Sequence, residues 1–403
     1  MLKPLVILFG YKEVHNASAQ IARTFWENVP SADYSPTIVC AKMESEVDLR
    51  NPIIQVKNNR IVHNFLAFFR RMKFKDITMI PDVEGYSWNP AVLRIVKKEL
   101  TSNKYDYIHT ISSPQSTHLL GLRLKQLTGL PLVVQCNDPW HDTSGRKYCL
   151  DKFAKLDLKY EEEVAKGADI IIHTNNVIAD IWHERYGEDV YNKIRVVPLS
   201  FNIYNLPTVQ KKEKPNDKLI ISHIGNIYSS RSSMTIIKGV EKFLSDYPNY
   251  GNKIEIHFVG GVHQQEMDYV HEHGLSEHIK YLGKIDPEKL QSIYEQTDIF
   301  LLIDVIIKRN PNYPSKLMMY YYYQRPILGL TTPNSNLEEE LRNSGHTVCY
   351  YDNTESICSF LKKAVTDYHS LTYFKTNYWE KHTIENVFSI YNTIIREDII
   401  KNK

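Results

Sequence analysis

A chain of 403 residues exceeds what one ordinary hydrophobic core supports, so two domains of roughly 200 residues each are expected. The 42% hydrophobic and 24% charged residues are those of a soluble globular protein, and a net charge of +2 without an RNA- or DNA-reading motif gives no general case for nucleic acid. Five cysteines, Cys40, Cys136, Cys149, Cys349 and Cys358, lack C-x-x-C or zinc spacing, which points to free thiols in a reducing cytosol and no structural metal.

The apolar run at 5–9 is too short to span a membrane and Lys12 and Glu13 follow at once, so it reads as a first strand, not a signal peptide. A helix is expected around 17–28. Residues 65–75, from Phe65 to Lys75, mix aromatics with four basic residues and carry two readings: a stretch lying in the headgroup region of an anionic membrane, or a helix packed on its own core with the basic residues solvated. Strands at 107–110, 132–136 and 170–173 then alternate with helices at 116–127, at 153–166 and after 173. The chain becomes irregular after Pro198, and the charged stretch Lys211–Asp217 is the most linker-like. This places a first domain at 1–205, a linker at 206–217 and a second domain from 218 to 382. Strand-like runs at 219–225, 254–261, 279–282, 299–303 and 326–330 make up that second domain, and an amphipathic helix occupies 387–400. Strand–helix alternation in both halves predicts an α/β protein of two doubly wound domains, with ligand bound beyond the carboxyl ends of the strands in the cleft between them.

The richest chemistry lies at 314–326, where a loop, a short helix beginning near Ser315 and Lys316, and a buried strand follow one another. Free backbone N–H groups at the helix start and the charge of Lys316 suit a diphosphate. A second anion site is expected where the strand ending at Gly225 turns through Tyr228 to Arg231 ahead of a helix. Gly260 and Gly261 close another strand, and Gly283 precedes Lys284 and Ile285; glycines there allow the close backbone approach that a nucleotide base needs. The tyrosines at 320–323 point all round a helix, so either burial or sugar stacking would account for them. In the first half, Asn137-Asp138-Pro139-Trp140 ends a strand with an acid and a large aromatic; Pro81-Asp82 precedes Trp88, and His109 precedes Ser112-Ser113-Pro114. Asp138 is read as an acceptor or sugar contact or as the cap of the next turn, and His109 as a site residue or a satisfied core histidine. No pair of glycosidase-like carboxylates and no Asp-x-Asp run for a divalent metal is visible.

These segments, in this order over nearly the whole chain, resemble the GT-B glycosyltransferases of the retaining family 4 type, within it a bacterial subgroup with an aspartate-proline-tryptophan motif. The resemblance implies two Rossmann-like domains facing each other across a cleft and a C-terminal helix at 383–403 that crosses back to the first domain. It also implies metal-independent transfer from a nucleotide sugar, UDP- or GDP-linked, to a surface polysaccharide or lipid-linked glycan at the inner face of the cytoplasmic membrane. Arg231, Lys316, Gly225 and Ser315 would hold the donor phosphates. Tyr228, Gly260, Gly261, Lys284, Ile285, Met319 and Tyr320 would line the nucleotide or sugar pocket. Asp138 and His109 would act at the reacting centre, and Ser112, Ser113, Asn137 and Trp140 on the acceptor side. The family pattern has glutamates where this chain has Met319 and Pro311; losing two charge-assisted bonds to a ribose diol would weaken nucleotide binding by on the order of a hundredfold. A non-catalytic scaffold with a decayed donor site and a nucleotide-sugar epimerase are the rival readings.

Overall fold

Along the first strand, β1 (Pro4–Ile7), Leu5 and Ile7 join one buried cluster and Val6 another. Side chains of an extended chain alternate between faces, so an uninterrupted apolar strand must be covered on both sides. The computed structural model describes residues 1–13, 17–42, 48–71, 80, 82–141, 148, 150–202, 206, 209, 217–227 and 230–401. The expectations for Tyr228, Pro81, Cys149, residues 72–75 and most of the linker at 206–217 lie outside the described residues.

Two units form, Met1–Asn205 with Lys381–Lys403, and Leu206–Glu380. In the first, β1 is joined by β2 (Thr37–Ala41), β3 (Ile53–Val56), β4 (Tyr107–Ile111), β5 (Leu132–Cys136), β6 (Ile170–His173) and β7 (Ile194–Val196) in a parallel sheet of order β3-β2-β1-β4-β5-β6-β7. One face is covered by a cluster around Trp88, Trp140 and Trp182, the other by one around Trp26, Tyr107 and Tyr391. The second cluster includes Val387, Tyr391 and Ile394 of the helix Ile384–Ile394, so the last helix completes the first unit's core.

The second unit contains β8 (Leu219–Ile224), β9 (Ile254–Val259), β10 (Ile279–Gly283), β11 (Ile299–Ile303), β12 (Ile327–Thr331) and β13 (Thr347–Tyr350), parallel in the order β10-β9-β8-β11-β12-β13. In each sheet the order reverses once, between β1 and β4 and between β8 and β11, and a crevice opens at such a switch point beyond the carboxyl ends of the strands. Strands β2, β3, β7 and β13 are additions to the sequence reading, which marks the chain irregular only after Pro198, past the end of β7. The four described cysteines, Cys40, Cys136, Cys349 and Cys358, are buried free thiols.

Candidate functional site

At the switch point of the second sheet the chain leaves β8 through Gly225, whose φ of 143° lies where side chains are strained. The turn is stitched to its neighbours: Gly225 N–H donates to Val259 O at 2.6 Å, Ile227 N–H to Gly261 O at 2.7 Å and Gly260 N–H to Gly283 O at 2.7 Å. Asn226 Oδ1 accepts from Gly261 N–H at 2.8 Å. A Cβ on Gly260 would stand 2.7 Å from the carbonyl of Gly225, so the ends of β8 and β9 approach as only glycine permits.

Lys316 opens the helix Lys316–Tyr322, and its ammonium lies in the space that a side chain at Gly225 would fill: a Cβ there would be 1.5 Å from Nζ. The two motifs, distant in sequence, therefore meet at one point. Among the described residues no carboxylate pairs with Lys316. Burial, then the nearby Arg231 guanidinium, lowers its pKa to about 8. Both cations also act on His223, at the end of β8. Its imidazole is buried, Nδ1 bonds Leu301 O at 3.1 Å and Nε2 has no partner; burial first, then Lys316 and Arg231, push its pKa to about 3. A carbonyl only accepts, so the proton sits on Nδ1 and Nε2 is a bare acceptor. Arg231 also acts on Asp304, whose carboxyl burial raises; Asp304 is committed to Val305 N–H at 2.8 Å and Thr331 Oγ1 at 2.9 Å. Two cations this close favour an added anion.

Other expected pocket residues distribute unevenly. Ser315 is exposed and makes no side-chain cap, Met319 is half-buried in the same helix, and Lys284 and Ile285 follow β10, Lys284 exposed. Tyr320 is corrected: its ring is wholly buried, stacked on Phe300 with centroids 4.3 Å apart, and its hydroxyl accepts from Ile224 N–H at 3.0 Å. It supports the Gly225 turn from beneath and does not line a pocket. Tyr321 and Tyr323 are buried too, so packing accounts for the tyrosine run.

In the first unit, Ser112 is buried at the end of β4 and Ser113 exposed. Asn137 is buried; its Oδ1 accepts from Gln135 Nε2 at 2.9 Å and its Nδ2 has no partner. Asp138 reaches solvent, while the protein packed around its carboxyl raises the pKa above the ordinary carboxylate value. Two expectations are corrected here. Trp140 is wholly buried and donates from Nε1 to Asp157 at 2.9 Å, so its ring builds the core and faces no acceptor. His109 is wholly buried, stacked on Tyr391 with its Nδ1 2.9 Å from that hydroxyl, and burial lowers its pKa to about 3; it is a core histidine.

Sequence reasoning missed what holds the Asp138 segment. Asp157 and Glu161, one turn apart on the helix Asp151–Gly167, are both fully buried; Asp157 takes Trp140, and Glu161 takes His141 N–H at 2.9 Å, Arg185 and Tyr186. Carboxylates four apart on one face of an apolar-flanked helix were the available signal. The Pro81-Asp82 motif has a structural account: Asp82 caps two helix starts, accepting from Gly85 N–H at 2.9 Å and Ser116 N–H at 2.8 Å. On the helix Arg60–Arg71, Ile61, Phe65 and Phe68 are 83%, 61% and 57% exposed and share one face. No helix of the described residues is long and apolar enough to cross a membrane, and no metal-binding group of three His, Cys, Asp or Glu occurs among them.

The fold is GT-B, with two Rossmann-like α/β domains. Solved structures similar to the whole chain include a sucrose-phosphate synthase from Thermosynechococcus elongatus, at TM-score 0.65 and 12% identity over 100% of both chains. HepE of Anabaena in complex with UDP and glucose matches at TM-score 0.64 and 12% identity, over 98% of this chain and 100% of that one. The lipopolysaccharide outer core galactosyltransferase WaaB matches at TM-score 0.64 and 12% identity over 100% of both. Residues 58–203 match the model of Glycosyltransferase Family 4. No curated protein sequence matches the chain.

Proposed function

We propose that this chain transfers a sugar from a nucleotide-sugar donor to a growing surface polysaccharide or lipid-linked oligosaccharide, with retention at the transferred carbon and without a metal ion. One observation carries the reading: the Lys316 ammonium stands on Gly225 with Arg231 in electrostatic reach, at the switch point where such sheets take ligands. The domain at 218–382 would hold the donor, its diphosphate against Lys316 and Arg231 and its base near Gly260, Gly261, Lys284 and Ile285. As the glycosyl bond breaks, negative charge grows on the departing diphosphate, and fixed cations stabilise it without reorganising. The leaving phosphate then assists removal of the acceptor's proton. Asp138, just past the end of β5, would contact acceptor or sugar, with Asn137 next to it in the chain and Ser113 just past the end of the neighbouring strand β4. The family match over 58–203 and the GT-B neighbours support the reaction class.

The exposed face of Ile61, Phe65 and Phe68, followed in sequence by Arg70, Arg71, Lys73 and Lys75, supports contact with an anionic membrane surface on the cytoplasmic side and hence a lipid-linked acceptor. Calorimetric titration with UDP, GDP, CDP and dTDP, with and without magnesium, tests the donor site. Micromolar binding of one of them is expected and names the base; binding of none would favour a scaffold. Incubating the selected nucleotide sugar without acceptor should leave it unchanged, whereas isomerisation of the free donor would identify an epimerase.

A further inference from the structure

We infer that Glu266, assisted by His263, is the positioning residue for Arg231 and thereby for the phosphate that Arg231 meets; the inference rests on the donor-site reading above. The segment carrying Arg231 is fastened at every residue from 230 to 233. Ser230 O accepts from Ile306 N–H at 2.7 Å, which ties the segment to the loop after β11. Arg231 O lies 3.0 Å from His263 Nε2, and because a carbonyl only accepts, that nitrogen carries the proton. Glu266 then takes the next two residues: its carboxylate accepts from Ser232 Oγ at 2.6 Å, Ser233 N–H at 2.9 Å and Ser233 Oγ at 2.5 Å.

Glu266 is a buried carboxylate, 4% exposed, in the first turn of the helix Gln264–Glu272, and it forms no ion pair among the described residues. A carboxylate taken out of water without a counter-ion is costly, and apolar packing would serve stability better. Its bonds are spent on the neighbours of Arg231, not on the guanidinium, so its charge orients the loop without forming a direct pair with the cation. The same carboxylate reorders the start of the helix Met234–Asp246. Ser233 stands at the capping position but makes no side-chain cap; its hydroxyl donates to Glu266, and Met234 N–H bonds Ser232 Oγ at 3.1 Å. Glu266 is itself steadied by Tyr281, whose hydroxyl donates to Glu266 O at 3.2 Å. The cation thus reaches the site on a backbone fixed from both flanking strands, as electrostatic catalysis by preorganised groups requires.

The test is Glu266→Gln, with calorimetry of UDP and UMP (or the same pair for the base the parent selects) in the parent and in an Arg231→Ala background. Glutamine keeps the volume but cannot accept all three bonds. Diphosphate affinity should fall about tenfold while monophosphate affinity holds within about twofold, the weight of one charge-assisted bond to the terminal phosphate. In the Arg231→Ala background the same substitution should cost nothing further. His263→Ala should give a smaller loss of the same kind. Equal losses for both nucleotides, an undiminished loss without Arg231, or parent-like diphosphate affinity would each overturn the positioning role. A parent that binds no nucleoside diphosphate would overturn the donor-site reading first, and is recognised before any variant is made.

Discussion

Replacing Gly225 by alanine puts a methyl group where the Lys316 ammonium now stands. Its carbon would lie 1.5 Å from Nζ and 2.4 Å from Cε, against an ordinary contact distance of about 3.5–4 Å. The ammonium is the free end of a flexible side chain, so it moves and the sheet does not; a retreat of about 2 Å carries it beyond reach of an oxygen it would otherwise bond. One charge-assisted hydrogen bond is worth about 1.5–3 kcal/mol, so UDP affinity should fall roughly 10- to 150-fold. The φ of 143° adds an independent cost of about 1–3 kcal/mol to folding. The two effects separate experimentally: thermal denaturation without ligand reads the backbone cost, and calorimetry with UDP reads the displaced charge. Lys316→Ala should lose a similar affinity alone, and adding Gly225→Ala to it should weaken binding little further, because no ammonium is left to displace. Parent-like UDP affinity in Gly225→Ala, or independent losses that multiply in the double variant, would refute the placement of Lys316 on the phosphate.

Lys316 has a pKa of about 8 in the free protein, and a bound diphosphate must raise it, so binding takes up a proton. UDP affinity should therefore be full below pH 8 and fall up to tenfold per pH unit above it, a loss that Lys316→Arg should remove; a flat profile from pH 7 to 9.5 in the parent would contradict this. Tyr320→Phe leaves the buried Ile224 N–H without its acceptor, and should cost about 1–3 kcal/mol in denaturant unfolding and loosen nucleotide binding through the Gly225 turn. Substituting Phe65 and Phe68 together by serine should abolish co-sedimentation with anionic vesicles while nucleotide affinity stays unchanged; vesicle binding equal to the parent's would remove that face from the membrane.

The parts of the fold that sequence conveyed are those where burial on both faces leaves an apolar run, unbroken in β1 and β11 and opening β5 and β8 as Leu132–Val134 and Leu219–Ile221. At the sheet edges the signal fades: β3, β7 and β13 are only partly buried and carry polar residues such as Gln55, Arg195 and Thr347. For the site, glycine and lysine motifs were readable because backbone proximity and charge each demand a particular residue type. Direction was not readable. Trp140 and Tyr320 have the chemistry of ligand contacts, yet their polar atoms turn inward to Asp157 and Ile224, and only the packing of distant helices decides that. Glu266 sits in a helix indistinguishable in sequence from a solvated one, and its buried bonds, like those of Glu161, depend on partners far along the chain.

The Ile384–Ile394 helix lends Tyr391 to the core that encloses Trp26, Tyr107 and His109. During synthesis, the sheet of the first unit must therefore wait with one face unsealed until residues 381–403 emerge, by which time all of Leu206–Glu380 has already left the ribosome. The later-made unit is the one free to fold first, inverting the usual order. The earlier one depends on a segment made only after the whole of the other unit, so a stop codon ahead of Ile384 would spoil the half that was translated first.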